Sequence, residues 1–204
     1  MPDPLTRRRF LLHAAGAGAA FAGALAALHA AWNGPLAYVG PDARRRGLIR
    51  PPGARAEEEL LSRCIRCQRC AEVCETGAIR LLPSGSRLAG TPHLTPETSA
   101  CDLCLRCGPA CPTGALEPLA SMAQARMGLA VVDKRLCVSH NGTGVCGACF
   151  TICPLKGKAI RQGTRNAPEV TGECVGCGLC EEACIVTDPK AGRAIRVRSE
   201  RAWA

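Results

Sequence analysis

Large aromatic side chains are almost absent from this chain. They make up 3% of the 204 residues, and between residues 60 and 200 the sole aromatic residue is Phe150. A core with so few large apolar groups is thin, and small domains of this kind need cross-links such as disulfides or metals. The composition therefore predicts a fold that is held together by something besides a conventional apolar core.

The sequence also lacks the common motifs of catalytic and nucleotide-binding sites. No glycine-rich dinucleotide fingerprint follows a strand, and we find no P-loop, nucleophile elbow or paired-carboxylate arrangement. Nothing in the sequence therefore indicates a substrate-converting site of its own.

Cysteine, in contrast, is abundant: the chain has 16 cysteines, and they fall into four runs of four with none left over. Three runs have gaps of two, two and three residues. This is the bacterial iron–sulfur spacing, in which three close cysteines bind one cluster and the fourth binds another. The third run lengthens its first gap to eight residues, 138–145, and keeps the other two gaps. In order, the runs are Cys64/Cys67/Cys70/Cys74, Cys101/Cys104/Cys107/Cys111, Cys137/Cys146/Cys149/Cys153 and Cys174/Cys177/Cys180/Cys184.

Zinc and disulfide bonds are the two alternatives for so many cysteines. Zinc sites favour two pairs of ligands separated by a longer loop, and this pattern differs from a triplet followed by a fourth cysteine. Cysteines only three residues apart pair poorly as structural disulfides. The spacing therefore predicts four [4Fe-4S] clusters with all sixteen cysteines as iron ligands.

The formal net charge of +9 would by itself suggest a nucleic-acid partner. That sum counts each cysteine as neutral, whereas a [4Fe-4S] cluster with four thiolates carries roughly −2. Four clusters bring the loaded protein close to neutrality, and no basic stripe is interleaved with aromatic residues. We therefore expect no nucleic-acid partner.

The runs indicate an α+β fold class, a ferredoxin-like polyferredoxin with short helices and β-hairpins, preceded by an N-terminal apolar helix. An apolar step follows each run, which is an internal repeat, and strands are predicted at 128–133 and 168–171. A short acidic helix is predicted at 56–61, before run one. The predicted divisions are a twin-arginine signal or membrane anchor at 1–31, a linker at 32–59, a four-cluster domain of two repeated dicluster units at 60–198, and a tail at 199–204.

Two pairings of the runs are open at this stage. Consecutive pairing joins run one to run two and run three to run four, whereas nested pairing joins two to three inside one to four. In either scheme the fourth cysteine of each run serves the cluster of its partner run. We lean slightly towards nested pairing, because the strand at 128–133 is the strongest and lies between runs two and three.

Three residues near the runs stand out. Glu75 and Ile185 occupy the position after the fourth cysteine, where a proline usually ends the helix and shields the cluster, so we expect altered exposure of the first and last clusters. His140 lies in the extra loop of run three; between contact with a partner or with iron and a solvated loop histidine, we favour the solvated loop histidine.

The N-terminus predicts export of the folded protein. Arg7 and Arg8 are followed by one residue and then Phe10 and Leu11, which fits a twin-arginine signal, and an Ala/Gly-rich apolar stretch follows. Clusters are assembled in the reducing cytoplasm, so a protein that carries them must fold before export. We expect a periplasmic location, with the N-terminal helix either cleaved near residue 26 or retained at the inner membrane.

Several segments together resemble the NapG and MauM family of ferredoxin-type proteins, which belong to the periplasmic nitrate reductase and methylamine utilisation systems. They are the twin-arginine start, the four runs, and the segments GTPH at 90–93, ARMGLAVVD at 125–133 and CGACFTICPL at 146–155. The resemblance covers nearly the whole chain. It implies a NapH-like membrane partner that is itself an iron–sulfur protein, and a quinol dehydrogenase that passes electrons to a periplasmic reductase or cytochrome.

Three functions are compatible with the sequence. The first is an electron-transfer subunit between a membrane quinol-oxidising protein and a periplasmic enzyme. The second is the electron-transfer subunit of a molybdenum oxidoreductase, and the third is an assembly ferredoxin for a periplasmic redox enzyme. We favour the first, because it follows from the family resemblance.

Overall fold

The computed structural model describes residues 12–13, 18–28, 47–85, 88–189 and 191–199. Residues 12–13 and 18–28 are helical. Within the described ranges, no helix combines the length and the apolar character needed to cross a bilayer. The twin-arginine residues and the segment 32–46 lie outside the described residues.

The helices are short, as the sequence predicted. The longest of them within residues 47–199, α1, begins with three glutamates and ends with Arg63, so its charges complement the helix dipole. It confirms the acidic helix predicted before run one. Within residues 47–199 the helices are α1 (Glu57–Arg63), α2 (Arg69–Glu72), α3 (Val138–Asn141), α4 (Ala148–Ile152) and α5 (Leu179–Glu182), with 3₁₀ turns at Met122–Gln124 and Thr164–Asn166.

The strands form four separate two-stranded antiparallel pairs in the described part of the chain. The hairpin β1–β2 connects run one to run two, and the hairpin β4–β5 connects run three to run four. β3, which precedes run three, pairs with β8, which follows run four. The strands are β1 (Ile79–Leu81), β2 (Pro92–Leu94), β3 (Leu129–Val132), β4 (Ile160–Gln162), β5 (Pro168–Val170), β6 (Thr187–Asp188), β7 (Gly192–Arg193) and β8 (Ile195–Arg198).

This topology makes two consecutive units and overturns our lean towards nested pairing. Nested pairing would have the strand at 129–132 link runs two and three. The strand instead pairs with the strand at 195–198, which follows run four. Run three, run four and the strands on either side of them therefore close into one unit. Runs one and two form the other unit, with Ala54 before run one bridged to Leu116 after run two.

The end of the predicted linker belongs to the folded domain, which corrects the boundary at residue 59. Leu48, Ile49 and Arg50 are buried, and Ile49 forms an isolated bridge with Leu94 of β2. Arg50 is fully buried and pairs with Glu57, with 3.1 Å between Nε and Oε2. Its Nη1 also donates to Thr91 Oγ1 at 3.0 Å. The sequence concealed this because an arginine before Pro-Pro-Gly has the composition of an exposed connector.

One apolar cluster runs through both units, and cysteines are part of it. Small and medium aliphatic side chains fill the space, and the buried cysteines Cys101, Cys107, Cys149, Cys177 and Cys180 lie among them. The two units touch directly: the N–H of Cys101 donates to the carbonyl of Cys177 at 2.9 Å. The core therefore surrounds the cysteines.

Candidate functional site

The backbone of runs one, two and four turns sharply around the middle cysteine. The residues on either side of it have positive φ in all three runs. Two such reversals, separated only by the middle cysteine, wind the chain into a tight turn. The pairs are Arg66 (58°) and Gln68 (68°) in run one, Leu103 (62°) and Leu105 (59°) in run two, and Gly176 (72°) and Gly178 (87°) in run four.

The residue types at these turns differ between the units. Glycine adopts positive φ freely, so run four is relaxed in this conformation. A side chain in the left-handed region costs roughly 1–2 kcal/mol per residue, so runs one and two hold strained turns. Such strained backbone conformations persist where contacts with the surrounding structure, or with a ligand, hold the backbone in place.

In the first unit the cysteines of two runs combine. Cys64, Cys67 and Cys70 line one cavity together with Cys111 of run two. We call these four cysteines site I. The remaining four, Cys101, Cys104, Cys107 and Cys74, are site II: the thiols of Cys104 and Cys74 are both close enough to Cys107 to affect its pKa, and Cys107 likewise affects Cys101.

The second unit repeats this exchange. Site III consists of Cys137, Cys146, Cys149 and Cys184, which line one cavity. Site IV consists of Cys174, Cys177, Cys180 and Cys153, which line another. Every predicted ligand is thus placed in a four-cysteine set, and in each set the fourth cysteine comes from the partner run of the same unit.

Burial and the proximity of other thiols raise the pKa values of several cysteines in these sets. Burial, reinforced by neighbouring thiols, raises the pKa of Cys70 to about 12, and burial raises that of Cys101 to about 12. Burial also raises the pKa values of Cys149 and Cys177 to about 11. Without a cation these thiols stay protonated at neutral pH, because gathered thiolates repel one another in an apolar environment. A metal centre that accepts thiolates would remove this penalty.

The extra loop of run three is anchored to the site rather than free in solvent. It forms α3, and the N–H of Cys146 donates to the buried Ser139 Oγ at 2.9 Å. His140 is half-buried in the last turn of α3, and its Nε2 bonds the carbonyl oxygen of Pro168 on β5 at 3.0 Å. Our interpretation of His140 as a solvated loop histidine is therefore wrong, because β5 packs against the loop.

The two missing prolines affect different sites from those we expected. Glu75 follows Cys74, which belongs to site II, and Glu75 forms a surface ion pair with Arg106 of run two. Ile185 follows Cys184, lines the site III cavity and is 77% exposed. The departures therefore concern sites II and III, because the fourth cysteines cross to the partner run.

Two residues that the sequence did not single out hold run four in place. Glu181 is fully buried, and its Oε2 accepts from the N–H of Val197 on β8 at 2.7 Å. Arg193 Nη1 donates to the carbonyl oxygens of Glu181 at 2.9 Å and of Cys184 at 3.0 Å. A Cys-Glu-Glu segment carries a weak sequence signal for such a role, since acidic residues there also fit an exposed helix.

Iron–sulfur clusters fit these sets on the chemistry of the donors. Each set offers four thiols and no other ligand type, which is the donor set of a [4Fe-4S] cluster. Within the described ranges no group of three or more His, Cys, Asp or Glu side chains is gathered tightly enough for a single metal ion. A zinc ion would need four sulfurs about 2.3 Å from one point, whereas the cysteines of sites I, III and IV line cavities whose walls are almost entirely apolar.

Short helices, small strands and crossed cysteine sets together define an iron–sulfur protein of the ferredoxin type. In agreement, a family model described as a 4Fe-4S dicluster domain matches residues 63–115, which contain runs one and two. The matched region is the same pair of runs that the structure combines into the first unit.

The curated relatives narrow the class to one family. The chain is 36% identical to the ferredoxin-type protein NapG of Escherichia coli over 200 residues, which cover 90% of this chain and 83% of that protein. It is 36% identical to the methylamine utilization ferredoxin-type protein MauM of Methylobacillus flagellatus over 154 residues, 69% of this chain and 65% of that protein, a little under two thirds of its length. MauM of Paracoccus denitrificans is 35% identical over 68% of this chain and 67% of its own length. The chain belongs to the NapG and MauM family of ferredoxin-type proteins.

Proposed function

We propose that the chain holds four [4Fe-4S] clusters, one at each of sites I to IV, with the sixteen cysteines as ligands. When bound, such clusters supply one-electron transfer, and the protein provides their spacing and environment. The proposal is supported by the division of all sixteen cysteines into four sets of four. The family membership supports the cluster type.

The contact between the two units supports electron transfer from one unit to the other. Cys101 of site II and Cys177 of site IV are joined by the 2.9 Å backbone hydrogen bond, and their thiols lie close enough for Cys177 to affect the pKa of Cys101. Within each unit the crossed fourth cysteines bring two sites together. The sites therefore follow one another in the order I, II, IV, III, and such a row suits electron transfer because its rate falls steeply with distance.

The electron donor in this proposal is a NapH-like membrane protein that oxidises quinol, and the acceptor is a periplasmic reductase or cytochrome. The names of the relatives place NapG and MauM among ferredoxin-type proteins, and MauM in methylamine utilization. The twin-arginine pattern supports export of the folded protein. The working location is then the periplasmic face of the inner membrane, reached after cluster assembly in the cytoplasm.

Anaerobic purification tests the cofactors first. The protein should be brown, with iron and acid-labile sulfide close to four of each per site, and reduction should give the electron paramagnetic resonance (EPR) spectrum of interacting [4Fe-4S] clusters. Colourless protein with stoichiometric zinc would refute the cofactor assignment.

The relay is tested by co-reconstituting the holoprotein with the membrane partner in vesicles that contain quinol. Quinol should reduce the clusters only when the partner is present, and the visible absorbance should bleach accordingly. A Cys104→Ser variant, which lacks a ligand of site II, should be reduced only in part. Holoprotein that stays oxidised in the presence of an active partner would contradict the relay.

A further inference from the structure

The two ends of the row of sites carry exposed apolar side chains. At site III, Val145 precedes Cys146 and is 67% exposed, and Ile185 follows Cys184 and is 77% exposed. At site I, Ile65 follows Cys64 and is 64% exposed. Large apolar side chains exposed beside a redox site are a feature of surfaces that bind another protein. The ends of the row are therefore candidate docking points.

Cationic side chains adjoin the site III end. A surface cleft beside it is lined by Lys134, Arg196, Arg198 and one acid, Asp133, and it shares Val132 with the site III cavity. Arg135, next in the chain, is 89% exposed. Asp133 is itself paired with Arg135, with 3.5 Å between Oδ2 and Nη2. The surroundings of this end are therefore net positive, which favours a partner with an acidic face.

The point at which the N-terminal segment enters the fold distinguishes the two ends of the row of sites. The described chain enters the domain at residues 47–50, where Ile49 and Arg50 are bonded to β2 of the first unit. If the N-terminal segment lies at the membrane, as the proposed function has it, the first unit is the nearer one. Site III, at the far end of the row, then faces the periplasm.

We propose that site III is the electron exit. Its docking surface, formed by Val145 and Ile185 with Lys134 and Arg135 beside them, binds a soluble one-electron redox protein with an acidic face. One electron leaves the reduced row and reduces the oxidised centre of that partner, with no proton or bond involved. This inference rests on the proposed function, because the relay supplies the electron.

Two proteins of opposite charge serve as probes: plastocyanin, an acidic blue-copper protein, and mitochondrial cytochrome c, a basic haem protein. Oxidised holoprotein is titrated with oxidised plastocyanin to measure binding, which needs no electron transfer. Reduced holoprotein is then mixed with each probe in a stopped-flow instrument. We expect plastocyanin to bind, to be reduced faster at low ionic strength, and to be favoured over cytochrome c.

The variants Ile185→Asp and Arg135→Glu should each weaken plastocyanin binding and slow its reduction by about tenfold or more, since charge steering changes association rates by such factors. The exposed Met122→Asp, on the 3₁₀ turn at Met122–Gln124, is the matched control and should leave both quantities unchanged. Iron content and the EPR spectrum of each variant verify that the clusters are retained. Arg135→Glu keeps the test decisive if Ile185→Asp loses its cluster.

Three outcomes would count against the proposal. A rate that falls with Ile65→Asp but not with the site III variants would place the exit at site I. A preference for cytochrome c would overturn the acidic partner. Reduced protein that passes electrons to neither probe would contradict the exit at site III, whereas holoprotein that stays oxidised with quinol and an active membrane partner would contradict the relay, so the two failures give different results.

Discussion

The contact between the two units can be perturbed at one glycine. Gly178 has φ of 87°, and a Cβ added there would lie 2.3 Å from Cβ of Pro96 in the first unit. Alanine at this position therefore faces two penalties. The left-handed backbone costs roughly 1–2 kcal/mol, and overpacking a filled contact costs roughly another 1–3 kcal/mol. We expect Gly178→Ala to destabilise the holoprotein by about 2–5 kcal/mol.

Gly114 provides the control, because it has φ of 65° and an added Cβ would meet nothing within 4 Å. Gly114→Ala should show only the backbone penalty. The assay is anaerobic loss of visible cluster absorbance in guanidinium at a fixed incubation time, read as the midpoint and as the bleaching rate. If the two alanine variants lose their clusters at the same midpoint, the packing of Gly178 against Pro96 contributes nothing and the described contact between the units is wrong.

Three further perturbations test the ligand exchange, a buried ion pair and a buried histidine. Cys111→Ser should remove the cluster of site I and Cys74→Ser that of site II, as followed by iron content and EPR; the reverse pattern would refute the exchange of fourth cysteines. Glu57→Ala leaves a fully buried guanidinium without its carboxylate and should cost about 3–5 kcal/mol, whereas the exposed Glu58→Ala should stay within about 0.5 kcal/mol. Burial, together with a nearby arginine, lowers the pKa of His93 to about 4 from 6.5, so the unfolded chain binds more protons between these values. Stability should therefore be complete above pH 6.5 and fall by about 3 kcal/mol towards pH 4, and His93→Gln, with the same unfolding assay, should lose this dependence.

The cysteines and most of the small strands could be predicted from the sequence, because ligand spacing and apolar steps are local signals. The strands predicted at 128–133 and 168–171 are present as Leu129–Val132 and Pro168–Val170, and the apolar steps after runs three and four contain the strands Ile160–Gln162 and Ile195–Arg198. The pairing of the runs could not be predicted in this way. The pairing of the runs depends on which strand pairs with β3. That strand is β8, which lies more than sixty residues away, and its short apolar pattern does not distinguish it from the other strands.

The burial of single polar residues, and positive φ at residues other than glycine, could not be predicted from the local sequence either. Arg50 is fully buried, and its hydrogen-bond partners are the carboxylate of Glu57 and the hydroxyl of Thr91 just before β2, so its burial depends on the tertiary fold. Positive φ at Gly176 and Gly178 is suggested by glycine itself. The same conformation at Leu103 and Leu105 is not, because leucine has no preference for it.

The difference in backbone strain between the turns of the two units bears on the order in which the two halves of the protein gain and lose their clusters. Run four has glycine at both of its positive-φ positions and holds its turn without strain, whereas runs one and two hold theirs at an energetic cost. When iron is scarce, or an oxidant attacks the clusters, the N-terminal half should empty first and refill last. Damage would then interrupt the proposed relay at its input before it reaches the C-terminal half.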